Sequence, residues 1–310
     1  VRHAAMIGLV AGFASPALAA DPQKIDWPKI PTKSVTLFYP GVSTYEWLKT
    51  PAHAGAQQVS AGMACLTCHK GSEKARGEKI VKGGPLEPAP IPGKNGSVDV
   101  AVQAAHDAEY VYFRFVWKTN MNREGRMHDY IRFDGKEWKF YGGHRAKKEV
   151  RAGQQPPLYE DRIAMMIDDG KVERYAEQGC WVTCHNGMRD TKDQKVGQEV
   201  KQHPLFKEPR YDADIRKYLP ATRTDGMSWD KTKSPEEIAK LKAEGKFLDL
   251  MMWRAARSGA INMADDGHVL EYRNFDAGKN PFSWNVDRKT MTPQYMFDAA
   301  KVGFKALRAE

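Results

Sequence analysis

The chain has 310 residues, 41% of them hydrophobic and 28% charged, with a formal net charge of +9 at pH 7. That length builds one large domain or two modest ones around a real core, and the composition is that of an ordinary soluble protein. The positive balance favours acidic partners or anionic surfaces, but Lys and Arg are scattered without a basic arm, which argues against a nucleic-acid binder.

Residues 1–20 read as an export signal. Arg2 is the basic start, Met6–Phe13 the apolar core and Ala17-Leu18-Ala19 an A-x-A site, so cleavage is expected near Ala19/Ala20. The apolar run is shorter than the roughly 18–20 residues that a membrane span needs, and no later segment reaches that length. The mature chain is therefore expected in the periplasm without a membrane span; an uncleaved anchor is the competing reading.

Asp21–Tyr39 is Pro-rich and reads as an irregular strap. Gly41–Leu48 leads into Thr50-Pro51-Ala52-His53, just ahead of Met63–Gly71, M-A-C-L-T-C-H-K-G. Cys65, Cys68 and His69 make C-x-x-C-H, the attachment pattern of a c-type haem. Two thiols at that spacing can each add to a haem vinyl group, and the next residue offers an imidazole to the iron. Gly71–Gly96 is dense in Gly, Pro and Lys and reads as a linker, with a boundary near Gly96.

From Ser97 the period becomes two. Val98, Val100 and Val102 alternate with polar or small residues, and Val111, Phe113, Phe115 and Trp117 do the same, so an antiparallel pair is expected. Tyr130–Phe133 and Trp138–Tyr141 flank Asp134-Gly135, a hairpin signal. Tyr159–Ile167 and Lys171–Tyr175 flank Asp168-Asp169-Gly170 in the same way. Successive strands with tight turns predict a mainly β chain, an antiparallel β-sandwich with flanking helices.

G-C-W-V-T-C-H-N-G then repeats the first motif with one extra residue between Cys180 and Cys184, followed by His185. The extra residue must bulge a helical turn if both sulfurs are to reach a haem. These two motifs use every cysteine of the chain, whose count is 4. A polar insertion, Asn186–Thr232, follows. Ser234, Pro235, Glu237 and Gly245 spell a capped helix. Phe247–Ala256 and His268–Arg273 read as strands, and Thr292-Pro293 opens a closing helix.

Other uses of these cysteines compete: a thioredoxin-like pair, a structural disulfide, or a zinc site drawing on all four thiolates. Export and repetition favour two covalent c-type haems. Cys65, Cys68, Cys180 and Cys184 would tether them, with His69 and His185 as iron ligands. A histidine ligand leaves the sixth position of each iron to His, Met, Lys, water or substrate. His53 is the favoured occupant at one iron. For the other, Met165, Met166, Met188, Met263, His128, His144, His203 and His268 are candidates. Trp181, Tyr211 and Trp253 are candidates to pack on the porphyrins.

The runs A-V-Q-A-A-H-D-A-E-Y-V-Y-F-R-F-V-W, L-Y-E-D-R-I-A-M-M-I and F-L-D-L-M-M-W-R-A-A-R-S, with A-D-D-G at 264–267, carry a resemblance. They resemble the haem-binding domain of ethylbenzene dehydrogenase-type proteins, also described as cytochrome c-552/DMSO reductase-like. The likeness covers Ser97 to the C-terminus, and the first haem segment resembles an N-terminal extension of multihaem relatives. It implies a β-sandwich holding a haem and serving in electron transfer. Dehydrogenase γ subunits hold a non-covalent haem through Met and Lys, whereas the G-C-W-V-T-C-H insertion here supplies covalent attachment and a His. Met166 stays a candidate ligand because it lies on the strand where the family builds its haem pocket. The sandwich also resembles carbohydrate-binding domains.

The resulting expectation is a periplasmic dihaem c-type cytochrome that passes single electrons between redox partner proteins. Its parts would be a signal at 1–20, a haem segment at 21–96 and a haem-binding sandwich at 97–310. Two alternatives stand beside it: a haem enzyme reducing a small oxidant at an open iron, and a haem-free metal- or sugar-binding sandwich.

Overall fold

Val98–Trp117 folds as its alternation requires. In the computed structural model, which describes residues 24–88, 90, 93–118, 131–133, 136, 138–140, 152–154, 161–185, 217–225, 228–255 and 264–275, β2 (Ser97–His106) and β3 (Val111–Trp117) pair antiparallel from Val100↔Trp117 to His106↔Val111. Asp107 closes their turn by accepting from the Glu109 and Tyr110 amides, bonds that hold its carboxyl below the usual carboxylate range. β1 (Lys33–Phe38) flanks β2 in a three-stranded sheet, so the Pro-rich strap contains a strand. Gln103 explains that order. Its buried amide donates to the Trp27 and Ile30 carbonyls at 2.8 and 2.7 Å and accepts from Arg114 at 2.9 Å.

Contacts divide the chain into two compact units, Val1–Leu37 with Val98–Lys118 and Phe38–Ser97 with Thr119–Glu310. Both cysteine motifs lie in the second. Its N-terminal part carries four short helices: α1 (Tyr45–Leu48), α2 (Ala56–Ser60), α3 (Cys65–His69) and α4 (Glu73–Ile80). α4 occupies the stretch expected as a linker. Its sequence, EKARGEKI, carries no apolar stripe, which is why composition hid it. Tertiary fit holds it: Gly77 is buried, and a Cβ there would stand 1.8 Å from the Gly96 carbonyl oxygen.

The larger sheet runs β6 (Arg162–Ile167), β7 (Leu248–Arg254), β8 (Asp265–Val269), β9 (Arg273–Phe275), antiparallel throughout. β4 (Ile131–Phe133) and β5 (Trp138–Phe140) form the expected hairpin. Two strand expectations are corrected. Lys171–Tyr175 does not return along β6. Asp168 accepts from the Lys171 and Val172 amides, and Arg174 at φ +65 turns the chain into α5 (Tyr175–Gln178), leaving β7 to pair with β6. His268–Arg273 is the bend of a hairpin rather than one strand, with Val269 opposite Arg273. The capped helix is α6 (Pro235–Ala243), with its capping box in place. The closing helix and most of the 186–232 insertion lie outside the described residues.

These sheets are open and antiparallel, with helix and strand in comparable measure among the described residues, and they do not form a plain sandwich. The reason lies on β7. Leu248, Leu250 and Met252 face a core completed by Tyr45 and Leu48 of α1, Val59 of α2 and Val182 of the second cysteine motif. Helical segments cover that face where a sandwich would place a second sheet.

Arg254 and Asp265 form an ion pair between β7 and β8 with 8% and 0% of their side-chain surfaces exposed. Removing one partner strands a buried charge, so Asp265→Ala should lower the unfolding free energy by about 3–5 kcal/mol in denaturant titrations. A loss of about 1 kcal/mol or less, as for an exposed pair, would show that the pair is not desolvated.

Candidate functional site

α1 touches the second cysteine motif at one end and His53, ahead of the first motif, at the other. Thr44 caps the helix by accepting from the Trp47 amide at 3.1 Å. The Tyr45 amide donates to the Cys184 carbonyl at 2.6 Å, and the Tyr45 hydroxyl donates to Gln178 at 3.0 Å. The Glu46 carboxylate meets His185 Nδ1 at 2.9 Å. The Trp47 ring lies 5.7 Å from that of His53, whose Nδ1 is 2.9 Å from the Leu48 carbonyl.

In the first motif, the single turn of α3 puts Cys65 and Cys68 on one face, as a spacing of three requires. Cys68 is exposed and Cys65 half-buried, and burial raises the Cys65 thiol above its usual value. His69 Nδ1 is buried without a hydrogen-bond partner, an arrangement that calls for a missing group. Burial, with Arg76 and His53 as lesser causes, lowers the His69 pKa, so the ring is neutral at neutral pH, the form that binds a metal.

His53 faces this ring. The two ring centroids are 6.0 Å apart at 46°. Two imidazoles on opposite sides of one metal, each bonded at about 2 Å, place their centres on the order of 6 Å apart. Because a carbonyl only accepts, His53 donates from Nδ1 to Leu48 and keeps a lone pair on Nε2. Gly55 preserves the space beside it: a Cβ there would stand 3.1 Å from His53 Cε1 and 3.6 Å from Nε2.

The second motif follows α5. Gly179–Thr183 is a 3-10 turn, and Cys184 is extended at φ −102, so the extra residue is absorbed by this change of backbone conformation. Lys217 Nζ lies 2.6 Å from Cys184 Sγ, and the two residues form a β-bridge. His185 is fully buried. Its ring stacks on Tyr218 at 3.6 Å and 8°, with Nδ1 on Glu46 and Nε2 3.0 Å from the Tyr218 carbonyl. A metal at Nε2 would replace the Tyr218 bond and leave the Glu46 bond intact.

Gln178 joins the motifs. It is 4% exposed, donates to the Val59 carbonyl at 2.8 Å and to the Met63 carbonyl at 3.4 Å, and its own carbonyl lies 3.9 Å from Cys65 Sγ. Cys180 is only two residues further on, at about 3.8 Å per Cα step. Tyr45, Glu46, Gln178 and Tyr218 escaped the sequence reading, since no local pattern marks them.

The remaining candidates separate clearly. Met166 packs against the same apolar cluster as Val182, with Leu250 opposite it across the strand pair. Met165 lies opposite Met251. His268 Nε2 takes a bond from Lys242 at 3.2 Å. Trp181 tilts against Phe38 at 6.0 Å, and Trp253 lies opposite Ile163. His128, His144, His203, Met188, Met263 and Tyr211 lie outside the described residues. Among the described residues no three His, Cys, Asp or Glu side chains are placed to hold a metal ion between them.

Paired thiols followed at once by a histidine, twice within one unit, define a site suited to a covalently attached haem. The buried, partnerless nitrogen of His69 and the His53 ring that faces it fit such a group, whereas His185 would first have to give up its bond to the Tyr218 carbonyl. The family model described as ethylbenzene dehydrogenase matches residues 24–310, and the chain belongs to that family. It is 35% identical over 282 residues to cytochrome c-552 of Stutzerimonas stutzeri, covering 89% of this chain and 72% of that protein. It is also 32% identical over 178 residues to cytochrome c-551 of Rhodocyclus tenuis, covering 56% of this chain and 62% of that protein. No solved structure matches. Among the described residues no helix is long and apolar enough to cross a membrane.

Proposed function

We infer that the chain is a c-type cytochrome carrying two covalent haems, which passes single electrons between redox partner proteins in the periplasm. The observation that carries this reading is the placement of Gln178, two residues ahead of Cys180, against Cys65 and Met63 of the first motif within one compact unit. The two cytochromes c among its relatives support it, as does the family match. An export signal at 1–20 would fit the same picture, because covalent haem attachment takes place outside the cytoplasm.

Bound haem supplies the one-electron couple; the chain's residues set where it sits and how it is held. Cys65 and Cys68 would tether the first haem, and His69 and His53 would ligate its iron. Cys180 and Cys184 would tether the second, and His185 would ligate its iron, with Met166 kept as a further candidate ligand. Gln178 maintains the short spacing between the two attachment points. Acidic redox partners suit the basic balance of the chain.

A pyridine haemochrome assay on protein matured in the periplasm should count two haems per chain. The reduced form should bind carbon monoxide at neither iron if both are six-coordinate. A Soret band absent after such maturation would remove the reading, and a high-spin iron that binds small oxidants would point to the enzyme instead.

A further inference from the structure

His53 is fixed at both its backbone and its ring. Its amide donates to the Thr50 carbonyl and its carbonyl accepts from the Ala56 amide, each at 3.0 Å. Its Nδ1–H donates to the Leu48 carbonyl at 2.9 Å, and its ring lies 5.7 Å from that of Trp47. Gly55 lies against the same ring. Beyond the chain neighbours, the three atoms nearest a Cβ at residue 55 are Cε1, Nε2 and Nδ1 of His53, at 3.1, 3.6 and 3.7 Å. The backbone does not call for glycine there: φ −93 and ψ 20 are open to other residues, so what Gly55 supplies is room.

We propose that Gly55 is a positioning residue for the first haem: by lacking a Cβ, it lets the His53 ring keep the place from which it faces His69 as the second axial ligand. The inference rests on His53 and His69 ligating one iron, as read above. A methyl at residue 55 must push Cε1 aside by a few tenths of an ångström. Cε1 is bonded to Nε2, the atom that keeps the lone pair. The ring therefore cannot make that room without moving its donor atom or lengthening its bond to Leu48. A side chain at residue 55 weakens the His53 bond to iron and leaves Cys65, Cys68 and His69 untouched. Overpacking of this kind amounts to about a tenfold change in an equilibrium.

The test is a carbon monoxide titration of the mature, haem-loaded ferrous protein and its Gly55→Ala and Gly55→Ser variants, with a haem count on each. Carbon monoxide must displace His53, so its apparent dissociation constant varies inversely with the fraction of chains in which that ligand is off. Both variants should keep the wild-type haem count and bind carbon monoxide about tenfold more tightly at one haem. The Ser variant separates room from capping, because residue 55 is also the N-cap of α2, a position that favours Ser and disfavours Ala. In a His53→Ala background, Gly55→Ala should add nothing to the affinity, since the ring it displaces is gone. Unchanged affinity in both Gly55 variants, a shift with Ala alone, or an equal shift in the His53→Ala background would overturn the proposal alone. If Gly55→Ala does not accumulate, accumulation of the double variant with His53→Ala would support a clash with the ring, and loss of both would overturn it. Carbon monoxide affinity unchanged by His53→Ala itself would overturn the underlying reading and the proposal with it.

Discussion

Replacing Cys65 and Cys68 together by Ala should leave one covalent haem per chain instead of two. The effect is close to all-or-none, because α3 offers no other thiol that could form thioether bonds to the vinyl groups. Cys180 and Cys184 should still hold their haem, since their 3-10 turn and the Cys184–Lys217 bridge draw on other parts of the chain. Mass spectrometry of the denatured chain reads the count directly, and Cys180→Ala with Cys184→Ala is the reciprocal experiment. Two haems surviving the first pair of substitutions would show that the C-x-x-C-H segment is not an attachment site. Haem lost from both motifs would show that the Gln178 contact makes maturation of the two sites interdependent.

His53→Ala should convert one of the two haems from low-spin to high-spin and let it bind carbon monoxide, one molecule per chain. The warrant is the 6.0 Å separation of the His53 and His69 rings, with the His53 lone pair left on Nε2 by the bond to Leu48. His53→Met should keep that iron six-coordinate and raise its potential, since His/Met ligation lies above bis-His. Ferric and ferrous spectra of the variants decide this. A His53→Ala protein with both haems still low-spin would assign the distal position to another residue.

The two cysteine motifs were legible because covalent chemistry demands a fixed spacing within a few residues. The same holds for the capping box of α6 and the alternation of β2 and β3, where one turn or one strand suffices to write the pattern. α4 was illegible, because its order comes from a close approach between Gly77 and Gly96 rather than from an apolar stripe. Lys171–Tyr175 misled because an Asp-Gly turn signal is local, while the choice of β7 as the partner of β6 is made by burial across some eighty residues.

Residue order by itself determined that this chain carries two paired-thiol–histidine motifs and that antiparallel strands follow the first, and it made His53 a candidate partner of that motif. Tertiary structure alone decided that α1 and Gln178 join the two sites, that helices rather than a second sheet cover β7, and that Glu46 holds His185. A thioether bond needs residues three or four apart, so its signature stays within a single turn. The hydrogen bond that His185 donates to Glu46 spans 139 positions of sequence, and only the packing of α1 against the second motif creates it.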